Sequence, residues 1–329
     1  MTGTTLMTDI VHVAVTVIVN QDDEVCISLR HKDSHQGGLW EFPGGKVESD
    51  ESIEQALIRE IKEELNLDIL ASRRLITIPH SYEDKKVCLH VSRVISYRGQ
   101  AVGIEGQQVK WVPVDQLLSY DFPAANLPVM KAVQLPDKYL ITGKFIDEDD
   151  FLRKLTNALD RETRLVQLRL KDGDLNIDEV PELIKQAASL CAHAGAKLLL
   201  NIPQNYLDLI DTANIRFDGF HADSKTLKTL SQRPDGCLFS ASCHNEEELI
   251  KAKQLKADFV VLSPVQKTAS HPEMQAMGWP RFSDLIENIT VPVFALGGVS
   301  ADDLGVAWQH GAQGIAAISA LWELDSAHL

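Results

Sequence analysis

The sequence predicts an α/β protein of two domains: a mixed sheet flanked by helices over residues 1–135, then a closed (β/α)8 barrel over residues 136–329. Three observations carry this. A glycine turn near the N-terminus leads into an amphipathic, carboxylate-rich helix. The hydrophobic periodicity changes after Leu135-Pro136-Asp137, a boundary too short to be a flexible tether. Beyond it, eight short apolar runs are separated mostly by helical patterns. A chain of 329 residues with 44% hydrophobic and 24% charged content can fill two cores.

The first half is read in order. Val11–Val19 is a β-branched run, and Glu24–Leu29 suits a hairpin partner across Asn20-Gln21-Asp22-Asp23. Gly44-Gly45 forms the turn, and Ser49 or Asp50 is the predicted helix cap. Ile53, Leu57, Ile61 and Leu65 recur every four residues and face the core. Glu60, Glu63 and Glu64 then crowd a neighbouring face, within an arc of roughly 100°. Like charges at those spacings oppose helix formation unless a cation neutralises them. Hard oxygen donors select Mg²⁺ or Mn²⁺ over Zn²⁺. Further strands are predicted at Arg73–His80, Lys86–Ser96 and Lys110–Pro113.

The formal charge of −15 argues against a stable grip on nucleic acid, which needs a basic surface. Five scattered cysteines without a C-x-x-C pair predict reduced thiols rather than a disulfide framework or a zinc site. Without a basic, apolar leader or a run of 18 apolar residues, the expectation is a cytoplasmic protein that does not engage a membrane.

The carboxylate segment resembles the nudix box. Gly45, Glu51, Arg59, Glu60, Ile61, Glu63, Glu64 and Leu67 match its fixed positions, and Asn66 stands where the family has glycine. Asn is the next-best residue for a left-handed helix end, so the turn is expected to survive. Leu39–Lys46 and Asp121-Phe122-Pro123-Ala124-Ala125-Asn126-Leu127-Pro128 extend the resemblance, over roughly residues 9–134, to the MutT-type hydrolases of 8-oxo-dGTP. That resemblance implies metal contacts from Glu60, Glu63, Glu64, Glu105 and the Gly44 carbonyl, and base contacts from Arg30, Phe42 and Asn126. Arg59 is expected to pair with Glu51 or Glu60 and fix their rotamers.

In the second half, Tyr139–Thr142, Leu165–Leu170, Lys197–Asn201, Gly219–Asp223, Leu238–Ser242, Phe259–Val265, Pro292–Gly297 and Ile315–Ala320 are the apolar runs. Strands alternating with helices call for parallel pairing, and eight such units call for a barrel of the TIM type. Its site belongs at the strand C-terminal ends. Those ends carry Gln167, Arg169, Lys171, Asn201, His221, Ser242, His244, Gly297, Gly298 and Ser319. This half resembles thiamine phosphate synthase and the TenI-type thiazole tautomerase. Val166-Gln167-Leu168-Arg169 with Lys171 matches the pyrimidine-diphosphate segment. Ala295-Leu296-Gly297-Gly298 and Ile318-Ser319-Ala320 match the thiazole-phosphate end.

Three departures bear on activity. Asn201-Ile202 replaces Asn-Asp, Asp223-Ser224-Lys225-Thr226 replaces Gly-Gln-x-Asp, and Ser270-His271 replaces Thr-Lys. Two Mg²⁺ carboxylates are thereby lost, and with them the clamp on a diphosphate leaving group. The predicted function is Mg²⁺-dependent hydrolysis of a nucleoside triphosphate, preferably 8-oxo-dGTP, to monophosphate and diphosphate, in the service of mutation avoidance. The barrel is expected to bind a phosphorylated small molecule without efficient synthase activity. Two alternatives stand beside this. One is a bifunctional enzyme of thiamine metabolism, its first half hydrolysing a thiamine-related diphosphate and its barrel acting as a thiamine phosphate synthase or a thiazole tautomerase (His244 as acid/base). The other is a barrel that acts only as a binding or scaffolding module.

Overall fold

The computed structural model describes residues 10–210, 215–268 and 275–323, so Ser270-His271 lie outside the described residues. Two compact units divide between Gln134 and Leu135, except that Glu287–Thr290 group with the first.

The first unit comprises β1 (Ile10–Val17), β2 (Glu24–Leu29), β3 (Trp40–Glu41), β4 (Gly44–Lys46), α1 (Ile53–Leu65), β5 (Asp68–Ser81), β6 (Lys86–Arg98), β7 (Val109–Pro113) and α2 (Leu127–Val133). Its strands form two sheets, one ordered β4-β1-β6-β5 and one ordered β3-β2-β7. The β1–β6 pair is parallel and the other pairs are antiparallel. The predicted β1–β2 hairpin survives only at its neck. Val19 bridges Val25, and the Asn20 N–H donates to the Glu24 carbonyl at 2.9 Å. Past that point the strands enter different sheets, because β4 and β6 occupy the edges of β1 while β3 and β7 occupy those of β2. Alternation tells which side chains share a face, not which edge a strand seeks.

Helix α1 buries Ala56, Leu57, Ile61 and Leu65, with Ala14 of β1 in the core beneath it. Its N-cap is Ser52 rather than Ser49 or Asp50. Ser52 Oγ accepts the Gln55 N–H at 3.2 Å and Gln55 Oε1 accepts the Ser52 N–H at 2.8 Å, a reciprocal capping box. Ser49 and Asp50 are spent in the preceding turn, across which the Glu51 carboxylate accepts the Glu48 N–H at 2.9 Å. At the other end Asn66 takes the left-handed conformation (φ +54°), as expected of the residue replacing glycine. On the opposite sheet face, Val15 and Val17 pack with Phe42, Val129 and Met130 in the main core.

The second unit runs β8 (Lys138–Ile141), α3 (Glu148–Asp160), β9 (Leu165–Arg169), α4 (Val180–His193), β10 (Lys197–Asn201), α5 (Gln204–Leu207), β11 (Gly219–Ala222), α6 (Ser224–Thr229), β12 (Leu238–Cys243), α7 (Glu246–Gln254), β13 (Phe259–Leu262), α8 (Gly278–Ile286), β14 (Val293–Leu296), α9 (Leu304–Gln309), β15 (Gly314–Ala317) and α10 (Ser319–Trp322). The eight strands close into a parallel barrel, β15 pairing with β8. Tyr139, Leu165, Leu199, Phe259, Phe294 and Ala316 share its apolar core. Residues before β8 are built into this barrel. The Leu135 carbonyl accepts from Gln313 Nε2 at 3.1 Å, and the Asp137 carbonyl accepts the Ile315 N–H at 2.9 Å.

Candidate active site

In the first unit the glycine turn rests directly on the carboxylates of α1. A Cβ on Gly45 would meet the Glu60 carboxyl carbon at 2.1 Å, and one on Gly44 (φ +146°) would meet the Ala14 carbonyl oxygen at 2.0 Å. Only a turn without side chains approaches this closely. The Gly44 N–H donates to Glu64 Oε2 at 3.1 Å, which ties the turn to the acidic helix.

Arg59 organises the cluster's flank. Its Nε and Nη2 donate to Glu51 at 3.1 and 2.6 Å, and its Nη1 to Glu60 at 2.9 Å and to Glu63 at 3.2 Å. The expectation named Glu51 or Glu60 as partner; the guanidinium takes both. Glu105 is brought in by its turn. The Gln107 side chain accepts the Glu105 N–H at 3.0 Å and donates to the Glu64 carbonyl at 3.0 Å.

The electrostatics follow from this crowding. Burial, then the charges of Glu41, Glu60 and Glu105, push the Glu64 carboxyl up to about 8, against the Gly44 N–H, which lowers it. Burial also raises Glu60; Arg59 opposes this, and Glu63 and Glu105 reinforce it. Near neutral pH Glu64 therefore retains a proton that a cation would displace. The all-oxygen donors and this frustrated charge fit a hard divalent cation, which Glu60, Glu63, Glu64, Glu105 and the Gly44 carbonyl could hold.

Arg30, Phe42 and Asn126 gather in one region of the same unit. Arg30 pairs with Glu41 and donates through Nε to the His35 carbonyl at 3.0 Å. Phe42 lies 5.3 Å, centroid to centroid, from Phe122. Asn126 is only 7% exposed, yet its side chain does not cap α2, which begins just after it. Tyr82 joins the group through a hydrogen bond with the Ala125 backbone and is close enough to feel the charges of Arg30 and Glu41.

Two members were not read from the sequence as functional. Glu41 ties both regions together: it pairs with Arg30, its charge raises Glu64, and burial lifts its own carboxyl to about 6 against the pull of Arg30. The available signal was strand alternation, which turns Glu41 away from Trp40 and Phe42. Tyr82 carried no local signal.

In the barrel a polar ladder crosses the interior. Asn201 Nδ2 donates to Gln167 Oε1 at 2.8 Å, and Gln167 Nε2 donates to the Tyr139 hydroxyl at 3.2 Å. His221 stands 3.3 Å from that hydroxyl and 2.8 Å from Ser242 Oγ. Burial pushes His221 down to about 3, so the ring is neutral. Arg169 follows Gln167 at the end of β9, and its N–H donates to Thr142 Oγ1 at 2.9 Å. Lys171 begins the following turn, its N–H donating to Asp174. His244 Nδ1 lies 2.9 Å from the Ser263 carbonyl; that contact makes Nδ1 the protonated nitrogen and leaves Nε2 the lone pair. Gly297 and Gly298 both have positive φ (+99° and +68°), and side chains there would strike Pro264 and the Lys267 carbonyl. Ser319 opens α10 and is exposed. Asp223 caps α6, its Oδ1 accepting the Thr226 N–H at 2.7 Å.

Comparison with known proteins divides the chain in the same way. Residues 14–132 match the NUDIX domain family, and residues 138–321 match the family described as thiamine monophosphate synthase. A putative thiamine-phosphate synthase 2 of Aquifex aeolicus is 33% identical over 194 residues, covering 58% of this chain and 100% of that protein. The 8-oxo-dGTP diphosphatase of Escherichia coli is 35% identical over 118 residues, 36% of this chain and 92% of its own length. The CTP pyrophosphohydrolase of Escherichia coli is 33% identical over 118 residues, 36% of this chain and 87% of its own.

Proposed function

Since the chain belongs to the NUDIX domain family through residues 14–132 and to the thiamine monophosphate synthase family through residues 138–321, we propose that its first unit hydrolyses a nucleoside triphosphate, preferably 8-oxo-dGTP, to the monophosphate and diphosphate with Mg²⁺ or Mn²⁺. Removing that nucleotide from the precursor pool would serve mutation avoidance. The family generally uses divalent cations. The observation that carries the reading is the turn at Gly44-Gly45 resting on the α1 carboxylates, with a Cβ on Gly45 meeting the Glu60 carboxyl group and the Gly44 N–H donating to Glu64.

Bound there, a divalent cation would neutralise phosphate charge and activate the attacking water. This chain's residues supply the rest. Arg59 spans Glu51, Glu60 and Glu63 and fixes their rotamers, a positioning role. Glu60, or another carboxylate of the cluster, orients the attacking water and takes its proton. Asn126 offers a donor and an acceptor to the purine edge, Arg30 is held nearby by Glu41, and the base contact assigned to Phe42 comes from a ring packed in the core beside Phe122. A panel of 8-oxo-dGTP, dGTP and CTP with Mg²⁺ tests the proposal. The oxidised purine is expected to show the highest kcat/KM, with diphosphate as co-product; a preference for CTP would overturn the base assignment.

For the second unit we propose binding of a phosphorylated small molecule at the barrel mouth without efficient coupling of pyrimidine diphosphate to thiazole phosphate. Ile202 cannot ligate Mg²⁺ and Thr226 is no carboxylate. The full chain is expected to form little thiamine phosphate from the two precursors, while Ile202→Asp combined with Thr226→Asp raises the rate. Robust synthesis by the unmodified chain would refute this. His244 supports a second reading, a thiazole tautomerase, because its Nδ1 contact with Ser263 frees Nε2 for proton transfer.

A further inference from the structure

Three nitrogen and sulfur donors converge on the four-stranded sheet of the first unit, and none belongs to the carboxylate or base-binding set. His12 of β1 and Cys88 of β6 are direct partners in the parallel ladder. His90 follows Cys88 by two residues, so strand alternation puts all three side chains on one face. Their donor atoms lie within 4.8 Å of one another, with His12 Nδ1 2.9 Å from His90 Nε2 and the two rings stacked at 5.2 Å. The frame beneath them is continuous, since β1 and β6 pair over the whole of Ile10–Val17.

A hydrogen bond between the imidazoles accounts for His12 and His90 but gives the thiol no part. We infer that His12, Cys88 and His90 form a site for a borderline-soft divalent transition metal of the Zn²⁺ class, with the fourth position left to water or an outside donor. Tetrahedral Zn²⁺, at about 2.0–2.1 Å to nitrogen and about 2.3 Å to sulfur, needs donors roughly 3.3–3.6 Å apart. The observed spacings, 2.9 Å for the histidine pair and at most 4.8 Å overall, bracket that range, so rotamer adjustment on fixed strands suffices. The donor chemistry separates this site from the all-oxygen cluster on α1, which favours a hard cation.

The protonation states are compatible. Burial, then the charges of His12 and Arg74, hold His90 below the ordinary histidine value, so its ring offers a lone pair. Burial raises the Cys88 thiol and Arg74 pulls it partly back; a metal that replaces the thiol proton removes the penalty. Arg74 repels a dication, but its guanidinium also donates to Thr77 Oγ1 at 3.1 Å.

The test titrates the chelator-treated full chain with Co²⁺, with and without saturating Mg²⁺. With Mg²⁺ present, one Co²⁺ per chain is expected, with an intense tetrahedral spectrum and a thiolate-to-cobalt charge-transfer band, both erased by Zn²⁺. Cys88→Ser should abolish the band, and His12→Gln or His90→Gln should weaken binding at least about tenfold. Cys237→Ser should leave it unchanged. A weak octahedral spectrum that Mg²⁺ suppresses would overturn the inference, because the ion would then be at the carboxylates. A thiolate band that survives Cys88→Ser would do the same. The spectrum of the unmodified chain decides the matter even if a variant fails to fold.

Discussion

Glu63→Gln is expected to lower kcat for triphosphate hydrolysis by about 10³-fold or more, equivalent to roughly 4 kcal/mol of transition-state stabilisation. The Glu63 side chain is 56% exposed, and its recorded partner is Arg59, 3.2 Å away on the next turn. Glutamine keeps the volume and the helix while removing one of the charges proposed to hold the cation. Stability should hold or rise slightly, because Arg59 keeps Glu51 and Glu60 while a like charge leaves the crowded face. Turnover at saturating Mg²⁺ and the melting temperature are to be measured together. Near-normal turnover would remove Glu63 from the metal set, and a collapse in melting temperature would mean the loss was structural.

Asn126→Ala should cut the ratio of kcat/KM for 8-oxo-dGTP over dGTP by about 10²-fold while changing turnover of dGTP far less. A buried polar group that meets a matching edge discriminates because mismatched partners stay unpaired, which costs about 1–3 kcal/mol. The side chain is buried and is not spent on capping α2, so the substitution removes no helix cap. Equal losses on both nucleotides would make Asn126 a packing residue only.

Much of this was legible because the deciding interactions are local. The spacing of Glu60, Glu63 and Glu64, the turn at Gly44-Gly45 and the left-handed Asn66 all lie within one turn–helix unit, where 3.6-residue periodicity and backbone sterics govern. The eight barrel strands were legible because each is an apolar run between helical patterns. What escaped depended on pairing across distance. That β1 and β2 part into separate sheets, that Glu41 reaches Arg30 and acts on Glu64, and that Tyr82 meets Ala125 are consequences of edges chosen by the whole fold. The cap moved from Ser49 or Asp50 to Ser52 because the Glu48–Glu51 turn competes for the earlier residues.

The pairing of β8 with β15 has a consequence for biosynthesis. Every named strand and helix of the first unit is drawn from residues 10–133, so that unit has all its pairing partners once Gln134 clears the ribosome. The barrel does not. Leu140 waits for Ala317, and Leu135 waits for Gln313, before the ring can close. At about 5–20 residues per second that interval lasts roughly 10–35 s, during which one flank of β8 has no neighbour. Nascent chains stalled after residue 296 should therefore already hydrolyse nucleotide while their barrel half remains sensitive to protease.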